Sequence, residues 1–278
     1  MRILVAPLVV ALLGIAASAS AQQRPLVTED PETVGLGVVL FEGGIDYQRD
    51  VVYPVSGLTG NLTRVGTMGG SFGLGASAEL QIDGGLYDRL LVTSRRVAPL
   101  SRAVDYTGDH TSDIEDITIA TKIRLAAEKP GQAAFGIRLA TRLPNASNES
   151  GLGLDTTDFY VSMLIGKTVQ SVRIVGNAGL GFLGEATDAT SQNDVFTYGF
   201  SLARALPGGV EIVGEINGRL HIRHDAAPPG TESRSSFRLG VRVTHGSVRF
   251  DGGIIRGLTS LDTSFGLMGG VTYVFRAK

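Results

Sequence analysis

Hydrophobic and polar residues alternate along most of this chain with a period of two. In the stretch DITIATKIRL, Asp116 to Leu125, isoleucine and leucine occupy one parity, and charged or hydroxyl side chains occupy the other. Successive side chains of a β-strand point to opposite faces, so the pattern predicts a strand with one apolar and one ionic face. Two environments suit such a strand. Either its ionic face contacts bulk water, or that face lines a wet barrel whose outer face contacts lipid.

The same alternation recurs in twelve segments and predicts twelve half-buried strands. An even number of antiparallel strands is typical of outer-membrane barrels. The segments cover residues 39–48, 62–74, 78–86, 116–125, 135–143, 158–165, 172–182, 196–202, 210–221, 237–243, 248–254 and 264–275.

The connections between these segments alternate in length. Those after the second, fourth, sixth, eighth and tenth segments are short, such as GLGAS and LPGG. Those after the first, third, fifth, seventh and ninth are longer and more polar, such as RHDAAPPGTESRS, and the eleventh is intermediate. Short periplasmic turns and long outer loops characterise membrane barrels, whereas a soluble sandwich has no reason to sort its connections by end. The ionic parity is therefore predicted to face a lumen.

Energetics favour the same interpretation. About eight strands already enclose an interior that side chains just fill, so a twelve-stranded soluble barrel would contain a void. A basic residue on the lipid face would cost about 2–4 kcal/mol at the bilayer midplane. Only Arg64, Lys167 and Arg204 lie on the apolar parity, and each is expected near a strand end. The chain has no tryptophan, so the interfacial aromatic residues are expected to be Tyr47, Tyr87, Tyr198 and Tyr273.

The N-terminus predicts export. Arg2, an apolar run over residues 3–17 and the small residues Ala19, Ser20 and Ala21 form the pattern of a cleaved signal peptide at residues 1–21. We expect residues 22–34 to form a periplasmic N-terminal segment and residues 35–278 to form one outer-membrane barrel domain. Whether residues 22–34 also enter the lumen stays open. A bacterial outer-membrane location follows from these features.

Composition narrows the remaining possibilities. Glycine supplies 38 of 278 residues, about twice ordinary usage, and there is no cysteine for a disulfide or a lipid anchor. After residue 21, the longest stretch without Asp, Glu, Lys or Arg is 14 residues, short of the roughly 18 that a spanning helix needs. Without Arg2, 24 basic residues stand against 27 acidic ones, which argues against a nucleic-acid partner. The expected partners are outer-membrane lipid and an unidentified small solute, and the oligomeric state stays open.

Several segments resemble a known family. The mature start RPLVTEDPETVGLGVVLFEGGIDY, the strand DITIATKIRL and the stretch RLATRLPNAS are similar to the outer-membrane barrel family named for the MetA pathway of phenol degradation, often called simply a transporter. The likeness extends from about Pro25 to Phe275. It departs from that family at RLPNAS, where a P-T-G turn is expected, and at Phe275, which is not terminal. The resemblance implies an outer-membrane channel for small molecules, including aromatic or apolar compounds, and it transfers no catalytic residues.

Other motifs predict no chemistry. Gly179-x-Gly181-x-x-Gly184 matches a dinucleotide fingerprint by its letters, but it lies within a predicted strand and precedes a polar loop instead of a helix. His221 and His224 are three residues apart, which places them on opposite faces of a strand. No serine–histidine pair is singled out by a motif. We therefore expect no catalytic residue, no metal site, no cofactor and no enzymatic activity.

The charged residues on the inward parity are the candidate functional set. Two interpretations are open: the charges pair across strands and fill the interior, or they form a constriction of opposed signs that selects small polar or zwitterionic solutes. The predicted lumen-lining residues are Glu42, Asp46, Glu79, Asp83, Lys122, Arg124, Arg138, Arg142, Glu211, Glu215, Arg219, Arg238, Arg242 and Arg249.

The sequence as a whole predicts an all-β protein, a single 12-stranded antiparallel transmembrane barrel, that acts as a passive outer-membrane channel for small molecules. One alternative is a structural or adhesive barrel with a closed lumen and functional surface loops. An outer-membrane hydrolase ranks third.

Overall fold

Thirteen β-strands account for most of residues 24–277, which are the part of the chain that the computed structural model describes. The predicted signal peptide lies outside these residues. The strands are β1 (Val38–Tyr53), β2 (Leu58–Gly73), β3 (Ala78–Arg95), β4 (His110–Asp113), β5 (Ile117–Ala126), β6 (Ala134–Leu143), β7 (Asp158–Val169), β8 (Val172–Glu185), β9 (Asp188–Leu206), β10 (Val210–His221), β11 (Arg234–His245), β12 (Val248–Gly257) and β13 (Phe265–Arg276).

Twelve of these strands close into one antiparallel barrel. Each of them pairs with its neighbours in chain order, and β1 pairs with β13 from Val38↔Arg276 to Arg49↔Phe265, which closes the ring. The short β4 pairs only with residues 88–91 of β3 and lies outside the ring. The prediction of a closed twelve-stranded barrel is confirmed. No helix among residues 24–277 is long and apolar enough to cross a membrane.

Connections differ between the two ends of the barrel. The end that carries both chain termini has the turns 74–77, 127–133, 170–171, 207–209 and 246–247, and we call it the periplasmic end because short turns face the periplasm in such barrels. The opposite, extracellular end carries the connections 96–109, 114–116, 144–157, 222–233 and 258–264.

Two connections at the extracellular end are shorter than the sequence predicts. The turns 54–57 after β1 and 186–187 after β8 join strands that continue past the predicted segments. The prediction of long loops at these two places was wrong. The polar residues there continue the paired strands, so their main-chain groups hydrogen-bond across each hairpin.

Apolar side chains cover the outside of the barrel, and ionic side chains occupy its interior. Every barrel strand carries exposed large hydrophobic residues, among them Phe41, Met163 and Phe250, whereas the side chains of Glu79 and Lys122 are fully buried inside. This distribution is the inverse of a soluble core, and it matches the polarity of lipid outside and water or paired charge inside.

A β-bulge in β2 overturns the predicted position of Arg64. The register of β2 against β1 shifts at Gly66, whose φ of 72° is a left-handed conformation that glycine adopts at low cost. Between Gly66 and the extracellular end, the extra residue reverses which side chains of β2 face the lumen and which face outward. Leu62, predicted to face lipid, is 1% exposed inside the barrel, and Arg64 pairs with Asp88 and Glu115 in the lumen. Arg64 therefore does not reach out to the membrane surface at a strand end.

Apolar residues also gather inside the barrel near its extracellular end. Leu58, Leu62 and Leu90 on β2 and β3 form a buried cluster with Val104 of the connection 96–109. Partly buried hydrophobic side chains from β1 and from the connection 144–157 pack against the cluster. The loops thus fold inward over this side of the mouth instead of extending into solvent.

We predict that Gly66→Ala destabilises the barrel and that Gly84→Ala does not. An alanine at position 66 would have to adopt the left-handed conformation, and its Cβ would lie 3.0 Å from the Leu86 side chain. We therefore expect the free energy of unfolding to fall by about 1–3 kcal/mol. A Cβ at Gly84, on the neighbouring strand, meets its nearest atom at an ordinary 3.5 Å. Urea unfolding in lipid vesicles measures both variants, and equal stabilities would contradict the role assigned to the bulge.

Candidate functional site: the barrel lumen

The predicted lumen-lining residues all lie on barrel strands, and most of them are paired. Twelve of the fourteen form an ion pair within 4.0 Å, for example Arg142 with Asp158 at 2.5 Å and Arg238 with Glu215 at 3.1 Å. Glu42 accepts hydrogen bonds from Thr272 and from the main chain of Arg24. Arg219 is the other exception, and it donates to main-chain oxygens.

The residues that precede β1 form a belt inside the barrel. We call residues 24–37 the inner belt. Followed backwards from β1, the belt passes β2 and β3, then β5 to β11 in order, and it ends at Arg24 against β12, β13 and β1. It therefore contacts all twelve barrel strands in one turn around the inner wall of the periplasmic half. The sequence predicts a periplasmic segment over 22–34, and the structure places its described part, from residue 24, within the lumen.

Three acidic side chains of the belt neutralise basic residues of the wall. Glu29 lies 3.3 Å from the Lys122 ammonium and 3.0 Å from the Arg138 guanidinium. Asp30 accepts two hydrogen bonds of 2.7 Å from Arg173.

Glu32 of the belt pairs in turn with Arg124. Lys122 also pairs with Glu79 at 2.9 Å, and both side chains are fully buried. Burying a charge carries a large desolvation cost unless it is paired, so these acids allow the basic strands to face a narrow interior.

The beginning of the belt is held by charge of the opposite sign. The Arg24 guanidinium lies 3.6 Å from both Asp46 and Asp251, and it donates to Thr67 at 2.8 Å. The Arg24 carbonyl accepts a hydrogen bond of 2.7 Å from Arg242. The belt thus presents a base where the wall is acidic, and acids where the wall is basic.

Side chains of the wall also satisfy the belt's main chain. The amide groups of Val27 and Thr28 donate to the Glu215 carboxylate at 2.9 and 2.8 Å, and the amide of Val34 donates to Glu79 at 2.7 Å. The belt forms no strand ladder, so its buried amides need such partners. Glu215 and Glu79 consequently bind the backbone of the belt as well as basic side chains.

Glycines of the wall make room for the belt. An ideal Cβ built at Gly199 would lie 2.8 Å from the Thr28 hydroxyl, one at Gly240 would lie 2.7 Å from Pro25, and one at Gly270 would lie 2.5 Å from Arg24. Real Cβ atoms do not approach other atoms so closely. The absence of side chains at these inward positions is what allows the belt to lie flat against the barrel.

Two adjoining cavities occupy the lumen around the belt. The larger one, of about 690 Å³, lies in the extracellular half, and the smaller one, of about 430 Å³, lies beside the first residues of the belt. Arg64, Glu115, Arg138, Arg142 and Tyr160 line both. The cavities are lined by charges of both signs: acids of β3 and the connection 114–116 pair with Arg64 and Arg142, and further arginines lie on β10 and β11.

The sequence leaves open whether residues 22–34 enter the lumen, although it carries one signal for the belt. The run TEDPE carries three acids within five residues, and the strands predicted as fourth and fifth carry an excess of bases. That complementarity identifies which strands the acids meet. It does not reveal that the chain turns inward, because each ion pair joins residues about 90 to 140 positions apart.

We predict that Glu29→Gln destabilises the barrel by about 3–5 kcal/mol, because removing one partner of a buried ion pair leaves uncompensated charge. Glu149→Gln, in an exposed extracellular loop, is the matched control, and it should change stability by less than about 0.5 kcal/mol. The stability of each variant is measured as the urea concentration at which the gel-mobility difference between heated and unheated samples disappears. Coincident midpoints would show that the belt contributes no stability.

Comparison with solved structures identifies the fold. The chain is similar to the crystal structure of an outer membrane channel from Pseudomonas putida F1, with a TM-score of 0.63 and 12% sequence identity over 88% of this chain and 98% of that one. It is more distantly similar to the translocator domain of the autotransporter NalP from Neisseria meningitidis, with a TM-score of 0.47, 15% identity and coverage of 87% and 89%. For an anion-selective porin from Comamonas acidovorans the TM-score is 0.42, with 10% identity and coverage of 86% and 98%.

No family model matches the sequence, and no curated protein matches it. At 12% identity the first similarity shows a shared fold, and the similarities below a TM-score of 0.5 support no closer comparison. The chain is a closed antiparallel barrel of twelve strands, with the fold of an outer-membrane channel.

Proposed function

We propose that the protein is a passive channel through which small molecules cross the outer membrane. The observation that carries the proposal is the pair of adjoining cavities, about 690 and 430 Å³, lined by charges of both signs inside a closed barrel. Charges of opposite sign across a narrow space orient water and polar solutes. A barrel that served only as a membrane anchor would not require cavities between its charged walls.

Small aromatic or apolar compounds are the solutes that we propose. The resemblance of several sequence segments to the family named for phenol degradation suggests them, and the extracellular cavity offers a matching surface. Val51, Val55, Leu62, Leu152 and Leu154 line that cavity together with its polar residues. Apolar side chains beside charged ones suit solutes that combine a ring or a short chain with a polar group.

A closed barrel whose surface loops carry the function is the second candidate, because one observation favours it. The inner belt contacts all twelve strands and pairs many of the lumenal charges, so it narrows the periplasmic half. In a channel the belt must leave a path or move aside. Current through the refolded protein distinguishes the two candidates, and lipid hydrolysis by the same preparation would indicate the hydrolase instead.

We predict that Gly199→Val raises the unitary conductance of the refolded protein in a planar bilayer. The valine side chain would occupy the place of Thr28 and displace the belt, since the three atoms nearest to a Cβ there all belong to Thr28. Gly43→Val is the matched control, because nothing lies within 4 Å of a Cβ at that position. A silent wild-type protein and a silent Gly199→Val variant, both folded, would favour the closed barrel.

We also predict that neutralising Arg138 and Arg142 together shifts ion selectivity toward cations. Both line the two cavities, and their removal leaves Asp83 and Asp158 with less compensating charge. The reversal potential under a KCl gradient measures the shift. Arg102→Gln with Arg223→Gln, two exposed loop substitutions, removes the same charge outside the lumen and should leave the potential unchanged. Unchanged selectivity in the lumenal variant would contradict the role of these arginines.

A further inference from the structure

We propose that Arg219 and Arg234 form a binding site for the carboxylate of a small organic monoanion with an apolar body. The site lies in the extracellular cavity of about 690 Å³, which both arginines line. This site defines a solute class for the proposed channel, and its physiological role rests on the channel function. Binding to the site can nevertheless be measured without transport.

The two arginines are direct cross-strand partners. Arg219 on β10 lies opposite Arg234 on β11. Side chains in such positions have Cβ atoms about 4.5–5.5 Å apart, and like charges there destabilise the pairing. Most charged residues that are direct partners on neighbouring strands have opposite signs, namely Glu79↔Lys122, Arg142↔Asp158, Glu215↔Arg238, Glu211↔Arg242, Arg242↔Asp251 and Arg64↔Asp88. The Arg219–Arg234 pair departs from this pattern.

A second pair of opposed cations shows how the barrel compensates such an arrangement. Lys122 and Arg138 are direct partners on β5 and β6. The Glu29 carboxylate of the inner belt lies 3.3 Å from the first and 3.0 Å from the second. Glu79 adds a second carboxylate to Lys122 and Asp83 adds one to Arg138, so the structure compensates these facing cations with carboxylates, one of which bridges both.

No described residue supplies a carboxylate to Arg219. Its Nε donates to the Glu232 carbonyl at 3.0 Å and its Nη2 donates to the Gly230 carbonyl at 2.6 Å, and no acidic oxygen of residues 24–277 lies within 4.0 Å of it. The Glu232 carboxylate instead accepts from the Gly230 amide at 2.9 Å. Neutral carbonyls orient the guanidinium but do not cancel its charge, and Nη1 receives no partner from them.

Arg234 is held in a similar way. It donates to the carbonyls of Leu261 and Val52, both at 2.8 Å, and its only carboxylate neighbour among the described residues, Asp262, is 3.8 Å away. The two arginines are thus fixed in position and under-compensated, which is the arrangement that a carboxylate ligand needs for charge-assisted hydrogen bonds.

Apolar surface adjoins the pair. An ideal Cβ at Gly230, whose carbonyl accepts from Arg219, would lie 3.0 Å from a Val55 methyl group and 3.4 Å from Leu154. Those side chains line the same cavity. A ligand whose carboxylate meets the arginines therefore places the adjacent carbon atoms against apolar residues, and the cavity volume lies within the range of about 300–1,000 Å³ found for small-molecule sites.

Among the described residues, the other charged groups that line the cavity offer no free cation to a second anionic group of the ligand. Asp88 and Glu115 share Arg64 at 3.5 and 3.2 Å, and Asp116 lies 3.8 Å from Arg142. Because Arg64 and Arg142 already pair with these carboxylates, a second anionic group that extended toward them would lose hydration without gaining an unpaired cation. The geometry accordingly favours a monoanion over a dianion.

Binding of benzoate to the full-length mature protein in nanodiscs, followed by ligand-observed NMR titration, tests the proposal. Benzamide and benzamidinium are neutral and cationic molecules of nearly the same shape, and acetate carries the carboxylate without the ring. We expect benzoate to bind at least about tenfold more tightly than benzamide, since a hydrogen bond to a charged group is the stronger kind. Acetate should bind more weakly than benzoate, and benzamidinium should not bind. Equal affinities for benzoate and benzamide would overturn the proposal.

Substitutions locate the site. Arg219→Gln and Arg234→Gln should each weaken benzoate binding about tenfold or more and leave the weak binding of benzamide unchanged. Arg219→Lys keeps the charge and should restore most of the preference for benzoate. Arg223→Gln, an exposed position on the loop after β10, is the matched control and should bind as the wild type. Benzoate binding that survives both glutamine substitutions, in protein that still shows the gel-mobility shift of a folded barrel, would refute the assignment.

The two proposals fail separately. A protein that conducts ions but does not prefer benzoate retains the channel function and lacks this site. One that binds benzoate through Arg219 and Arg234 but passes no current has the site inside a closed barrel.

Discussion

Charge that faces a narrow lumen must be paired, and this constraint governs the rest of the structure. The barrel turns its apolar side chains to lipid, so its ionic residues have only the interior to occupy. There a side chain such as Lys122 is removed from bulk water, and its charge is tolerated because Glu79 and Glu29 lie within 3.3 Å. Pairing between neighbouring strands satisfies part of this requirement, and the inner belt satisfies the remainder in the periplasmic half.

In the proposed channel, the contacts of the belt would link stability to permeation. Glu29, Asp30 and Glu32 compensate basic strands, while the glycines at positions such as 199 and 240 give the chain a place to lie. A belt held by ion pairs occupies space that a wider pore would leave open. Any solute path therefore runs beside a segment whose removal would expose unpaired charge, which makes a wide, water-filled pore incompatible with this arrangement of residues.

The extracellular half follows a different principle. Beyond the bulge at Gly66, the faces of β2 are exchanged and leucines enter the lumen, where Leu58 and Leu62 pack with Val104 of an inward-folded loop. Arg219 and Arg234 lie close to this apolar surface and are oriented by main-chain carbonyls. The result is an amphipathic cavity in the extracellular half and a more polar, largely paired constriction in the periplasmic half, so in the proposed channel the two halves would distinguish solutes by different properties.

The sequence by itself determined the number of barrel strands, their order and the inside-out polarity, because alternation with period two is a local property that each strand carries within itself. It also placed the fourteen ionic residues on one face. Only the tertiary structure decided where residues 24–37 lie, because the belt's ion pairs join positions that are distant in the chain. The same holds for Arg64, whose direction depends on one extra residue at Gly66, and for the opposition of Arg219 to Arg234, which depends on strand register. Periodicity specifies which residues share a face, whereas register, bulges and inward folding specify which of them meet.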